Sequence, residues 1–351
     1  MGETLRTSTL RFFLLLVASY GLFFFSYKYY IPLARADFFR YYPMYQRPLD
    51  FSAATAPFVY RQISALVTHA LYLTGLYYPE GISFSDSAID QRMFFSALLA
   101  NYLGLTLAAT LAGSLVERVT GAFGASLMAG FLCLLSFHTQ TAVITGLTEG
   151  ISWFFVALLY LLYVRRARWP LIVVLAVSIF QREIIPLAFA LIAFFSFVLR
   201  SGDKRYDGFV LVSSLLAFGA YLAMRAVIIA APGYEYQLSL SNFVANLMSP
   251  SAVSIRDVVF QGVLSQNVVF IAAAAQFALY LRTRVWSRDF LMLTSALLAL
   301  MVIGLGDGLG VNVGRIGGLM VPIFAVLAAR ALFEFDRSLV SSAKNPPEPR
   351  A

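Results

Sequence analysis

The chain has 351 residues, of which 60% are hydrophobic and 13% charged, with a formal net charge of +8 and a mean hydropathy of +0.77. This composition excludes a water-soluble globule and makes a bilayer the expected solvent, so the basic excess speaks first of membrane sidedness and not of nucleic acid. The single Cys133, set in the apolar run FLCLLSF, excludes an intrachain disulfide framework and a cysteine metal site.

A hydrocarbon core of about 30 Å takes about 20 helical residues, fewer where a helix stops at a cavity. In chain order this ruler predicts helices over Leu10 to Ile31, Met93 to Leu115, Gly121 to Phe137, Thr139 to Tyr163, Trp169 to Phe180, Ile184 to Leu199, Gly208 to Ala230, Val263 to Leu281, Phe290 to Leu305 and Ile316 to Leu332. The first run is longer than a signal-peptide core, so it reads as an anchor even though Ala34-Arg35-Ala36 resembles a cleavage site. The stretch from Trp169 to Leu199 reads as two short helices joined at Gln181-Arg182-Glu183, because a single span moves ten basic residues to the opposite side. Threaded from a cytoplasmic N-terminus, the chain places sixteen of its 26 basic residues and eight of its 18 acids in the cytoplasm, as the positive-inside rule requires.

The expected fold is an all-α integral membrane protein of about ten transmembrane helices in the plasma (inner) membrane, with both termini cytoplasmic. Residues 1–335 form a single polytopic domain, and 336–351, which carry NPPEP, form a short disordered tail. The long outer connections cover about 32–92 and 231–262. Within the first, Val59, Ile63, Leu66, Val67, Ala70 and Leu71 share one helical face, with Arg61, Gln62, Thr68 and His69 elsewhere, which predicts an amphipathic helix lying in the interface. Phe23 to Phe25, Tyr27, Tyr29, Tyr30, Tyr41 and Tyr42 gather near the outer end of the first anchor, as an interfacial belt or as rings that stack on a ligand.

Ionisable groups inside apolar spans are the informative residues, since each is costly unless it faces protein or water. At about 1.5 Å per residue, Glu149 stands about 21 Å above Tyr163 and Arg182 about 20 Å above Trp169, with Glu183 beside it. Asp307 stands about 27 Å above Asp289, and Arg315 about 23 Å above Arg330. Four helix ends carrying charge to one outward level predict a wet cavity opening outward. Structural ion pairs, such as Glu149 with Arg182, are the alternative for any one of them.

The arrangement resembles the C-type (GT-C) glycosyltransferases, which take a sugar from a polyprenyl phosphate on the outer face of the membrane. The likeness runs through ADFFRYYPMY and APFVYRQISALV after the first anchor, LTEGISWFFVALLYLLY and AVSIFQREIIPLAFAL around the basic turn, and GRIGGLMVPIFAVLAARAL before the end. It departs from the family in the first loop, where two neighbouring acids are usual but Asp37 is followed by Phe38 and the next acid is Asp50. That departure weakens metal-assisted binding, and no cofactor is expected beyond the lipid-linked sugar donor.

The resemblance implies Asp37 as the catalytic base that takes the proton of an acceptor hydroxyl. It implies Arg182 and Arg315, with Arg61 behind them, as the clamp on the donor phosphate, and Glu149, Glu183, His69 and Asp307 as contacts to sugar or acceptor. Arg61 reads equally as an interfacial anchor, His69 as a packed histidine, and His138 as part of the turn SFHTQT. The implied partners are the bilayer, a polyprenyl-phosphate-linked sugar and a glycan, lipid or protein acceptor. A secondary transporter places its charges near the midplane on repeated halves, and no repeat is visible here. A cysteine transpeptidase needs a polar setting that Cys133 lacks. A non-catalytic flippase or polymer-assembly protein is the remaining alternative.

Overall fold

Apolar runs closed by specific caps set the helices. Asp90 starts the longest one by accepting from the Arg92 amide at 2.9 Å, and Gly121, at φ 69° where a side chain is strained, ends it by donating to the Glu117 carbonyl. The computed structural model describes residues 2–29, 35–76, 90–137, 139, 146–200, 203–232, 240–248, 267–306 and 318–344. Its helices are α1 (Gly2–Tyr29), α2 (Arg35–Gln46), α3 (Gln62–Leu73), α4 (Gln91–Thr120), α5 (Phe123–Leu134), α6 (Glu149–Val164) and α7 (Arg168–Ser178). There follow α8 (Ile184–Leu199), α9 (Lys204–Val227), α10 (Leu240–Met248), α11 (Asn267–Thr283), α12 (Arg288–Gly306) and α13 (Val321–Lys344). Short 3₁₀ turns precede α3 (Phe58–Tyr60) and α13 (Gly318–Met320). Among the described residues there is no strand, and extended backbone pairs at one bridge, Thr55 with Ala231.

A helix lies at each of the ten positions predicted for a span. Among the described residues, four segments are long and apolar enough to cross a membrane, namely Arg6–Lys28, Gln91–Thr120, Lys204–Val227 and Gly318–Ser338. The second and fourth are 72% buried in their most apolar stretch and lie at the centre, whereas the first and third are 22% and 17% buried. The outer faces of α1 and α9 therefore present bare apolar side chains, such as Val17 and Leu216, and are compatible with contact to lipid.

The centre is built on a close crossing of α4 and α6. A Cβ on Gly104 falls 2.7 Å from the Gly150 backbone, and one on Gly150 falls 2.2 Å from the Asn101 carbonyl oxygen, so only glycine fits at either position. Asn101 locks the crossing, its amide nitrogen donating to the Leu147 carbonyl and its oxygen accepting from the Gly150 amide at 2.9 Å. This fixes the start of α6 at Glu149, ten residues later than the apolar run suggests, just after Gly146 with φ 74°.

The Trp169 to Leu199 stretch is two helices. It breaks at 179–183, Pro186 sits in the first turn of α8 where its missing amide hydrogen costs nothing, and the chain returns to the level it left. The return is shown by an ion pair at 3.2 Å between Arg166, before α7, and Asp203, after α8.

Helix α3 is amphipathic, its polar residues Gln62, Ser64 and Thr68 facing the protein while Leu66, Val67 and Leu73 face out, the orientation that an apolar face takes in a lipid interface. Helix α13 runs to Lys344, past the tail boundary expected at 336: no breaker occurs before Asn345-Pro346, and the Ser338 carbonyl accepts from Arg282.

Candidate functional site

Three helix termini and one turn bring four charges together. Arg61 caps the start of α3, Glu149 opens α6, and Arg182 and Glu183 occupy the break between α7 and α8. Arg61 pairs with Glu183 at 3.1 Å and Arg182 with Glu149 at 3.4 Å. No side chain in either pair is more than 8% exposed, so two cations and two anions are withdrawn from solvent as a neutral set.

The surrounding polar groups hold this set in place. Gln181 donates to the Thr148 carbonyl at 2.8 Å and to the Ser152 hydroxyl at 3.0 Å, and it accepts from Ser64 at 3.0 Å. The Ile63 amide donates to the Phe180 carbonyl at 3.1 Å, tying α3 to the break. Arg61 also donates to the Tyr41 hydroxyl from α2 and lies against the rings of Tyr41 and Phe58. Not every donor is used: the Nε atoms of Arg61 and Arg182 and one oxygen of Glu183 have no hydrogen-bond partner among the described residues.

Of the predicted site residues, the structure thus joins Arg61, Arg182, Glu149 and Glu183. His69 is elsewhere, half-buried on α3 with Nδ1 3.0 Å from the Tyr45 carbonyl, which is the packed-histidine reading. Asp307, Arg315 and His138 lie outside the described residues. Asp37 falls in α2, one turn before Tyr41, and its side chain is outside the described residues. The other acid of that loop, Asp50, is committed to its own turn: it accepts from the Ser52 hydroxyl at 2.6 Å and amide at 3.0 Å and pairs with Arg47 at 3.2 Å. The Ser52 hydroxyl, then its amide and the Arg47 charge, hold the Asp50 carboxyl below its ordinary value, making it a weaker base.

The aromatic cluster divides. Tyr41, Phe23 and Tyr27 are buried in the protein, whereas Phe25 and Phe24 face out as a belt would. A cavity of about 410 Å³ lies next to the site, lined by Ala56, Tyr60, Arg225 and residues 228–232. None of the four charges is among the residues that line it. The cavity lies where the segment before α3 meets the one after α9: the Ala231 amide donates to the Ala54 carbonyl at 3.2 Å and the Tyr60 hydroxyl to the Ile228 carbonyl at 3.0 Å.

Sequence reasoning missed Asn101, Tyr41 and Ser64 as members of this site. Asn101 had a signal, a lone amide in a long apolar run, while Tyr41 had none that separates it from its aromatic neighbours. Among the described residues no three of His, Cys, Asp and Glu converge as metal ligands do. Comparison with protein-family models, with curated proteins and with solved structures finds no match.

Proposed function

We propose that the chain crosses the membrane about ten times, with both termini in the cytoplasm, and transfers a sugar with inversion from a polyprenyl phosphate to an acceptor hydroxyl outside. The observation that carries this reading is the meeting of Arg61 and Arg182 at helix ends, which the proposed topology turns outward, one contact away from the helix that bears Asp37. In such a reaction the acceptor oxygen attacks the anomeric carbon, its proton passes to a base, and the bond to the phosphate breaks with the electron pair leaving on the phosphate. Asp37 is the base in this reading. The two guanidiniums, still holding unused donors, receive the charge that develops on the leaving phosphate, and Arg315 is the further candidate for that role. Glu149 and Glu183 position the arginines and accept from sugar hydroxyls.

A second reading is favoured by the same pairs. Four charges this buried and mutually neutralised also suit a latch between α3, α6 and α8 in a non-catalytic flippase or polymer-assembly protein.

The test uses the purified protein with a polyprenyl-phosphate sugar. Asp37→Asn is nearly isosteric, so it keeps donor binding and lowers transfer by about 10²- to 10⁴-fold, the range of general-base catalysis. Asp50→Asn, which alters a carboxylate already engaged by Ser52 and Arg47, changes transfer little. Normal transfer by Asp37→Asn removes the catalytic assignment, and failure of the parent protein to bind the donor removes the glycosyltransferase reading.

A further inference from the structure

The turns on either side of the α7–α8 hairpin form one surface. The α6–α7 turn carries Arg165, Arg166 and Arg168, and the start of α9 with the end of α8 carries Arg200, Lys204 and Arg205, all six exposed. The Arg166–Asp203 pair at 3.2 Å binds the two turns to each other, so the six cations are neighbours and not merely residues of two loops. The acids among them do little to offset this. Asp203 is taken by Arg166 and by the Arg205 amide at 3.0 Å, and Asp207 is buried beneath the surface, accepting from Tyr163 at 2.5 Å and Ser196 at 3.2 Å.

Three further features suit this surface to a charged interface. The Arg168 guanidinium lies 5.5 Å from the centroid of the Phe209 ring and the Lys204 ammonium 5.6 Å from that of Phe197, so ring faces hold both charged groups while the residues stay exposed. Arg166 and Arg200 occupy left-handed backbone, at φ 55° and 56°, where a helix end ordinarily takes glycine. Trp169 is 78% exposed at the level of the cations, and an indole belongs at the boundary of headgroups and acyl chains.

We infer that these paired turns are a binding surface for anionic phospholipid headgroups at the cytoplasmic face. The charge complementarity is direct: clustered guanidiniums offer donor pairs to a phosphodiester, the lysine adds a point charge, and Trp169 enters beside the acyl chains. The inference rests on the reading of the chain as membrane-spanning, and not on glycosyl transfer. The α11–α12 turn supplies an internal comparison. It is also basic, but its Trp286 is stacked between Tyr280 and Phe290 at 3.8 and 4.0 Å, and its Arg282 is engaged by the Ser338 carbonyl.

The experiment counts lipids retained by the full chain in detergent, by native mass spectrometry, after incubation with phosphatidylglycerol or phosphatidylcholine. The parent retains phosphatidylglycerol in preference. The quadruple variant Arg165→Gln, Arg168→Gln, Lys204→Gln, Arg205→Gln leaves the Arg166–Asp203 tie intact and lowers that retention by roughly tenfold or more. The comparison variant Arg284→Gln, Arg288→Gln leaves it unchanged. Inorganic phosphate at matched ionic strength does not displace the lipid. Equal retention of the two lipids by the parent, full retention by the quadruple variant, equal loss in the comparison variant or displacement by phosphate each overturns the inference. If the quadruple variant fails to fold, as its melting curve shows, the pairs Arg165→Gln with Arg168→Gln and Lys204→Gln with Arg205→Gln carry the same test separately. A parent chain that stays in solution without detergent overturns the membrane reading itself, an outcome distinct from loss of lipid preference.

Discussion

A guanidinium taken out of water stays charged, so its burial is tolerated only when a carboxylate and hydrogen bonds offset the cost, and Arg182 meets that condition with Glu149 at 3.4 Å, both side chains at most 8% exposed. Removing one partner strands the other. Glu149→Gln or Arg182→Gln alone is expected to destabilise the protein by about 3–5 kcal/mol, the range for breaking a buried pair. The double variant removes both charges and leaves neither partner stranded, so most of the stability returns. Thermal unfolding in detergent measures that coupling. Transfer activity separates the two readings of the site, because a phosphate clamp is not restored by neutralising its partner. Recovered stability with transfer still lost is the expected result, and a double variant that transfers normally makes this pair a latch only. Gln181, which binds Thr148, Ser152 and Ser64 at once, supports the pair without carrying charge.

At the scale of elements, the crossing of α4 and α6 sets where Glu149 stands. A methyl group at Gly150 meets the Asn101 carbonyl oxygen at 2.2 Å, and backbone cannot yield as a flexible side chain does. Gly150→Ala is therefore expected to cost about 1–3 kcal/mol, as overpacking does, and to lower the melting temperature. Gly219→Ala on α9 meets nothing within 4 Å and is neutral or slightly stabilising in the same assay. Equal melting temperatures for the parent and Gly150→Ala show that the crossing does not set stability.

The sequence made much of this level legible. The bounds of α8 agree with its apolar run, and the break before it was marked by three polar residues in a row. The site was legible in part for the same reason: charges at Glu149, Arg182 and Glu183 interrupt apolar helices, and interruptions are local. The pairing of Glu149 with Arg182 stood among the alternatives, but that of Arg61 with Glu183 was not legible, since 122 positions separate them and nothing local joins them. The two faces of α3 were legible from periodicity, and which one looks out follows once the surroundings are lipid and not water.

For the whole molecule, the decisive question is how many times the chain crosses. At 11 and 16 residues, α7 and α8 extend only about 16 and 24 Å, each less than a hydrocarbon core of about 30 Å. Joined end to end they make one generous span, and folded back they make a hairpin whose tip stops inside the bilayer on protein. The Arg166–Asp203 pair requires the second arrangement, because a single straight span carries those residues to opposite faces. The buried polar cluster at the tip explains how such a hairpin is tolerated: the break exposes backbone and charge, and α3 and α6 meet both. Parity follows. With a hairpin, the start of α9 shares the side of the α6–α7 turn, and under the proposed ten crossings the basic turns all fall on one face, as the positive-inside rule favours. A reporter active only in the cytoplasm, fused after Lys204, is expected to be active, and one active only outside is expected to work when fused within 233–258. An external signal at Lys204 means that α7 and α8 cross as one span. It shifts every later loop to the other side and separates the Arg61 cluster from the face on which the proposed transfer takes place.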